Sequence, residues 1–368
     1  MYLPITRKYR PQTFSEVCGQ HVSSRIMINS IKMDRIIKTM LITGIRGTGK
    51  TTLARLYGKA LNCESFSFNN EPCCACQSCL EAQRGSHPDI LEFDAASNNG
   101  VDFVRDLEVI IAQKPNYKSR VVIFDEAHMF SKQAQNALLK ILEECSDHLQ
   151  FILVTTNPET LIDTVRSRCL SMPLKSLTPQ DIENNIKYIL DKENLDYTED
   201  FVRTLGRSGG GALRDVQQIL DQCILAADDA KLTSKYLEEA VGIISIDQYK
   251  KLAAVISRLD PKASLENVDR WYRDGIDLEL LFTEGIPTLM RDFSMVLSNC
   301  YYDNMHMLTG LEYGLIKNKL TLTYDQVKMI IAKWEDLIGT MKSSSSPKLV
   351  WEIFLIQICE VTNVHNGA

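Results

Sequence analysis

Short apolar runs recur along the first half of the chain: MLITG at 40–44, ILEFD at 90–94, RVVIFD at 120–125 and FILVTTN at 151–157. Each is too short for a buried helix and ends at a glycine or polar residue. That pattern predicts strands buried on both faces of a parallel sheet. The stretches between them carry apolar residues at helical spacing. Residues 131–145 are the most regular, with Ala134, Leu138, Ile141, Leu142 and Cys145 on one stripe and Ser131 placed to cap. Residues 21–38, with Val22, Ile26, Ile28, Ile31 and Ile36, predict an earlier helix, and LARLYGKAL predicts another after MLITG. Strands alternating with helices over about 170 residues predict an α/β domain with a mainly parallel sheet.

After Pro173 the strand signal stops. Thr178 caps and Pro179 opens a helix with Ile182, Ile186 and Ile189 at helical spacing. A second helix follows at about 198–207, and GGGALRDVQQILDQCILAA reads as a third. Residues 174–242 are therefore expected to form a small helical domain. From 243 onward the predicted helices lengthen, and KSSSSPK at 342–348 separates the last two. LVWEIFLIQICEV, interrupted by Glu352 and Glu360, reads as a buried helix and is too short to span a membrane.

Composition narrows the class. With 368 residues, 45% apolar and 24% charged, the chain can fill two or three domains. It is neither a disordered tail nor a disulfide-stapled miniature. The net charge of -6 hides an asymmetry: residues 1–60 hold eleven Lys/Arg against Glu16 and Asp34, a formal +9. Arg7, Lys8 and Arg10 precede no apolar segment, so no signal peptide is expected. Five of the eleven cysteines lie between Cys63 and Cys79, a clustering that suits metal binding better than a disulfide framework.

Three motifs carry chemistry. GIRGTGKT, Gly44 to Thr51, has the G-x-x-x-x-G-K-[ST] form between a strand and a helix. Gly44, Gly47, Thr48 and Gly49 would turn backbone N–H groups onto phosphate oxygens, and Lys50, Thr51 and Thr52 open the helix behind them. Lys50 would reach the β and γ phosphates, and Thr51 would hold Mg²⁺. RVVIFDEAH places Asp125 and Glu126 at a strand end, where ligands bind in such sheets. Asp125 would hold Mg²⁺ and Glu126 would act as general base on water; His128 reads as structural. Cys63, Cys73, Cys76 and Cys79 give C-x9-C-x2-C-x2-C, an all-sulfur set suited to structural zinc. Cys74 is set aside because it breaks the even spacing. Thr155 and Thr156 end their strand beside Asp125, and either could face a phosphate. Arg168 and Arg214, on spacing alone, are as well read as surface arginines.

In this order the motifs resemble the AAA+ clamp-loader ATPases, in their bacterial gamma/tau branch. KYRPQTFSEVCGQ (8–20), the cysteine segment, HPDILEFDAASNNGVDFVRDL (87–107), DEAHMFSKQAQNALLKILEE (125–144), FILVTTNPETL (151–161), SRC (167–169) and GALRDVQQILDQ (211–222) carry the likeness. It is dense over residues 4–240 and one of helical content beyond. The resemblance implies an α/β AAA+ P-loop NTPase domain with a zinc-binding insertion at 1–173. It implies a helical lid at 174–242 and an all-helical collar at 243–368. Tyr9, Arg10 and Pro11 would lie beside the adenine. Thr156 would be the sensor of the γ-phosphate, Arg168 the arginine finger reaching a neighbour's ATP, and Arg214 the second sensor on its own ATP. ATP, Mg²⁺ and Zn²⁺ are the implied cofactors.

The implied partners are delta and delta-prime subunits, further copies of the chain in a pentameric ring, the beta sliding clamp and primer–template DNA. Single-stranded-DNA-binding protein would be met through other subunits. A cytoplasmic place at the replication fork follows, away from any membrane. Cys74 stands where the family usually has Gly, and Asn99 where it often has a basic residue. Nothing in these residues resembles the longer tau form's further domains, which fits either a gamma-like extent or a tau form whose tail lies outside this sequence. Two other functions fit parts of the pattern. A helicase or remodelling ATPase shares DEAH but needs a second RecA-like domain, which the helices after 173 do not supply. A non-hydrolysing scaffold subunit shares the domain order but lacks a working phosphate loop. An initiator or recombinase leaves the cysteine segment without a purpose.

Overall fold

Five apolar runs pair side by side in one parallel sheet of order β2-β3-β4-β1-β5, formed by β1 (Thr39–Thr43), β2 (Ile90–Asp94), β3 (Arg120–Asp125), β4 (Leu149–Thr155) and β5 (Leu170–Pro173). This computed structural model describes residues 2–66, 70–143, 145–227, 231–242, 244, 246–258, 260–299 and 322–365. β4 is buried along its whole length, and β3 is buried up to Asp125, as covered parallel strands must be. Edge strand β2 is only partly covered.

Helices lie against the sheet as the apolar spacing requires. The helix Lys50–Asn62 buries Leu53, Ala54, Leu56, Tyr57, Ala60 and Leu61 in a cluster with Met40, Ile42, Val121, Ile123, Ile152 and Val154. The helix Lys132–Glu143 buries Ala134, Leu138, Ile141 and Leu142 in a second cluster, with Val122, Phe124, Phe151 and Leu153. Ser131 Oγ accepts from the Ala134 N–H at 3.1 Å, which caps that helix. Residue 144 of the segment 125–144 lies outside the described residues.

The first long helix departs from its predicted form. It runs His21–Lys32 and stops at Met33, followed by Asp34 at φ 51°. Val22 and Ile26, expected on its buried stripe, are 61% and 41% exposed. Ile28, Ile31 and Ile36 pack against the core as expected, and Ser23, Ser24, Met27 and Ser30 are buried with them. The small serines allow close approach, and Ser30 Oγ donates to the Met27 carbonyl at 2.8 Å and lies 3.1 Å from Tyr57 Oη. Those contacts satisfy the Ser30 hydroxyl on the inner face, whereas the Ser24 hydroxyl is buried without a partner among the described residues.

Two compact units share the chain: Met1–Ile189 with Gly209–Gln218, and Leu190–Ser208 with Ile219–Ala368. The first holds the sheet. The second is helical, and its largest apolar cluster gathers Trp271, Phe282, Phe293, Trp351 and Phe354. Trp351 Nε1 donates to the Leu278 carbonyl at 2.7 Å, and Trp334 Nε1 to the Phe282 carbonyl at 2.8 Å. The last two helices, Tyr324–Ser343 and Pro347–His365, are separated at the serine run. Residues 300–321 of the expected 243–368 domain lie outside the described residues. No described helix is long and apolar enough to cross a membrane.

Candidate functional site

The C-terminal ends of β1, β3 and β4 gather most of the chemistry-bearing residues. After Thr43 the chain turns through Gly44–Gly49 into the helix that begins at Lys50. Gly47 has φ 80°, and a Cβ there would stand 2.9 Å from the Ala212 Cβ and 3.5 Å from the Arg214 Cβ. Only glycine satisfies both the left-handed backbone and this close approach. The loop is therefore packed beneath residues 212–214. Thr48 is buried, and its hydroxyl donates to the Ile45 carbonyl at 2.9 Å.

Lys50 donates to the carbonyls of Gly44 and Ile45, each at 2.9 Å. Burial holds its amine below the ordinary lysine value, while Glu126 and Asp125 pull the other way. Thr51 Oγ1 donates to Asp125 Oδ2 at 2.9 Å. The other carboxylate oxygen, Oδ1, accepts the Glu126 N–H at 3.0 Å. Thr52 follows, partly buried, in the first turn of the helix.

Glu126 is held at φ 49°, ψ 44°, a left-handed conformation uncommon for glutamate. Its Oε2 is buried without a hydrogen-bond donor among the described residues and stands 3.4 Å from His128 Nδ1. His128 Nδ1 also shares a hydrogen bond of 3.1 Å with Thr155 Oγ1, which accepts the Asn157 N–H at 3.0 Å. Thr156, half-buried, follows β4 at this same end of the sheet. Sequence reasoning left His128 without a part in the site. Its three-residue offset from Asp125 was the available signal.

Tyr9, Arg10 and Pro11 follow the short helix Ile5–Lys8. Tyr9 meets Tyr188 edge to face at 6.3 Å. Burial lowers the Arg10 guanidinium's pKa, and the neighbouring charges of Arg55, Glu92, Arg7 and Arg214 act on it in turn. Arg55, which the motif search passed over, donates to both Glu92 carboxylate oxygens at 2.5 and 2.6 Å. Arg214 lies beside the glycine loop, its Cβ 3.5 Å from a Cβ built at Gly47. A glycine loop with left-handed backbone at Gly47 and Gly49, one buried amine, a hydroxyl–carboxylate pair and the Glu126 carboxylate beside His128 together suit a polyphosphate with a divalent cation.

Arg168 is not brought to this end. The Thr39 hydroxyl, at the start of β1, donates to its carbonyl at 2.5 Å. Its guanidinium donates to Glu143 Oε1 at 2.7 Å and to the Thr164 carbonyl at 2.8 Å. β1 runs from there to the glycine loop, a span of five residues and roughly 13–17 Å.

The cysteine segment folds beside the helix Lys50–Asn62. Cys63 ends that helix, and Cys76 and Cys79 stand at and within the helix Gln77–Arg84. The Sγ atoms of Cys63, Cys73, Cys76 and Cys79 all lie within 4.8 Å of one another. Tetrahedral zinc with Zn–S of about 2.3 Å places sulfurs about 3.8 Å apart, so small adjustments complete the site. The Ala75 N–H pulls the Cys73 thiol down to about 6, whereas burial pushes Cys63 and Cys79 up. Cys74 is outside the set, at φ 55°, and its Sγ accepts from Lys59 Nζ at 3.3 Å.

Residues 19–178 match the family described as DNA polymerase III, delta subunit. The DNA polymerase III subunit tau of Escherichia coli (strain K12) is 35% identical over 298 residues, covering 81% of this chain and 46% of the relative. The chain thus spans about half the length of that relative. The DNA polymerase III subunit gamma of Buchnera aphidicola subsp. Baizongia pistaciae (strain Bp) is 36% identical over 262 residues, covering 71% of this chain and 70% of the relative. The Thermotoga maritima RuvB Holliday junction branch migration motor is 16% identical, with a TM-score of 0.48 over 83% of this chain and 90% of its own.

Proposed function

Because this chain belongs to the bacterial DNA polymerase III gamma/tau family, we propose that it is an ATP-hydrolysing motor subunit of a clamp loader. The observation that carries the reading is the bond from Thr51 to Asp125, directly below a phosphate loop and beside Glu126. A scaffold subunit has no use for this set. Lys50 binds the β and γ phosphates. Thr51 and Asp125 hold Mg²⁺, which supplies charge neutralisation when bound. Glu126 takes the proton of the attacking water. Tyr9, Arg10 and Pro11 border the adenine. Thr156 and Arg214 report the phosphates of the same ATP. Zn²⁺ sits on Cys63, Cys73, Cys76 and Cys79 as a structural ion.

Residues 174–242 would serve as the lid and 243–368 as the collar of a pentameric ring with delta, delta-prime and further copies of the chain. ATP binding favours the conformation that opens the beta clamp, and hydrolysis on primer–template DNA releases it closed. The placement of Arg168 at the far end of β1 from its own phosphate loop supports a contact across a subunit boundary. The work takes place in the cytoplasm, at the replication fork.

Steady-state ATP hydrolysis with delta, delta-prime, clamp and primed DNA tests the proposal. Turnover stimulated by clamp and primed DNA together is expected. Strand unwinding by the isolated chain, or absence of any turnover in the complex, would overturn it.

A further inference from the structure

We infer that Glu71 is a positioning residue for nucleotide binding, through which the cysteine module braces the chain segment bordering the base. The inference rests on the nucleotide-site reading above. Residues 10–20 have no strand or helix to hold them. At one end, Arg10 lies in the field of Arg55, Glu92 and Arg214, beside the glycine loop. A few residues on, the segment is fastened to the cysteine module. Both oxygens of the Glu71 carboxylate are engaged: Oε2 accepts the Phe14 N–H at 2.6 Å and Oε1 the Ser15 N–H at 2.9 Å. Two consecutive amides on one carboxylate form a charge-assisted clamp.

A second tie runs through Lys59. Its Nζ donates to the Gln12 carbonyl at 3.1 Å, to Gln12 Oε1 at 2.9 Å and to Cys74 Sγ at 3.3 Å. Apolar packing makes a third connection. Phe14 and Val17 are buried in one cluster with Cys63 and Cys79, against which Cys73 and Cys76 also pack. Glu71 is two residues before Cys73, with buried Pro72 between them limiting the backbone. A metal held by Cys63, Cys73, Cys76 and Cys79 would fix the turn and with it where the carboxylate stands, and the carboxylate holds Phe14 and Ser15. Cutting the clamp leaves the phosphate loop and Glu126 in place. It should loosen the base-side wall and so act on affinity rather than on the chemical step.

The test uses the full chain, with ATPγS titrated by calorimetry and zinc measured by colorimetric release. Glu71→Gln is expected to raise the Kd about 5- to 10-fold, the scale of losing one ordinary hydrogen bond while the remaining amide oxygen still accepts. Zinc content should be unchanged, and in the assembled complex KM should rise with kcat preserved. Hydrogen exchange of the peptide holding Phe14 and Ser15 should speed up. Removing zinc with a chelator should raise Kd and exchange likewise in the wild-type chain, with little further effect on E71Q, because both act through one clamp. Lys59→Met, which cuts the second tie without touching Glu71, should shift Kd in the same direction. Lys50→Ala is the control. If it loses ATPγS while E71Q keeps wild-type affinity and exchange, the brace is wrong. If Lys50→Ala binds ATPγS normally, the nucleotide-site reading fails and the brace falls with it.

Discussion

The Thr51 hydroxyl donates to a carboxylate oxygen of Asp125 at 2.9 Å, joining the first turn of a helix to the end of a strand 74 residues later. The same two oxygens are the ones a divalent cation would use. The hydrogen bond holds them in register, and cation binding would replace it. Thr51→Val should therefore weaken ATP binding in the presence of Mg²⁺ and change it little when Mg²⁺ is chelated. A loss of at least about tenfold with Mg²⁺ is expected, the worth of one charge-assisted contact. Lys50→Ala should abolish productive binding in both conditions. Equal losses for Thr51→Val with and without Mg²⁺ would argue against a cation role.

Glu126 is held in a left-handed conformation with one oxygen facing His128, and His128 is itself tied to Thr155. Glu126→Gln should bind ATP normally but turn over about 100-fold more slowly, the usual lower range for loss of a general base. An unchanged rate would contradict the assignment. His128 acts on the carboxylate's placement. His128→Ala should lower kcat about tenfold, the scale of one hydrogen bond, with KM nearly constant. His128→Asn, which keeps a donor near Nδ1, should recover part of the loss.

Arg168 is engaged by Glu143 of its own chain. Both side chains are more than a third exposed, so the pair contributes little to stability and can exchange partners. Arg168→Ala should leave the basal ATPase of the isolated subunit intact. In the assembled ring it should reduce stimulated turnover by about 10³-fold, as loss of an arginine finger does. Equal loss in both settings would mean that the residue works in cis. Glu143→Gln should not destabilise the chain measurably in thermal melting.

What the sequence disclosed follows from the range of the forces involved. The glycine loop and β1, β3 and β4 were readable because glycine backbone freedom and apolar runs are local properties. The four cysteines were readable because chelation imposes short spacing. On the helix His21–Lys32 the expected Ile28 and Ile31 do pack against the core, as does Ile36 beyond it, but Val22 and Ile26 are exposed and Ser23, Ser24 and Ser30 are buried, a substitution of small polar residues that no hydropathy pattern expresses. Gln135 escaped notice for a related reason. Its side chain is buried, donates to the Phe130 carbonyl at 3.0 Å and accepts the Ile162 N–H at 2.8 Å, a partner 27 residues away. Glu71 belongs to none of the motifs, and its partner Phe14 is 57 residues away. The strand order, with β1 between β4 and β5, depends on crossovers and is likewise invisible in a linear pattern.

The pair Arg120–Asp89 sets the strongest expectation for stability. Asp89 is fully buried, and Arg120 is 5% exposed. Arg120 Nη2 donates to Asp89 Oδ1 at 3.1 Å, while Nη1 donates to the carbonyls of Ile110 and Gln113 at 2.6 and 2.8 Å. Asp89 Oδ2 accepts the Tyr117 N–H at 2.7 Å. The pair thus links the residue before β2 to the start of β3, with backbone groups of Ile110, Gln113 and Tyr117 completing it. Removing one charge leaves the other buried and uncompensated, which costs about 3–5 kcal/mol. Asp89→Ala should lower the midpoint of urea unfolding, followed by far-UV circular dichroism, by that amount of free energy. Replacing both residues by apolar ones of similar volume, Asp89→Leu with Arg120→Met, should recover much of the loss, because no lone charge is left inside. Recovery would fall short by the Tyr117 amide, which loses its acceptor. A double variant as unstable as Asp89→Ala would mean that the backbone bonds of Arg120, rather than the ion pair, hold this corner of the sheet.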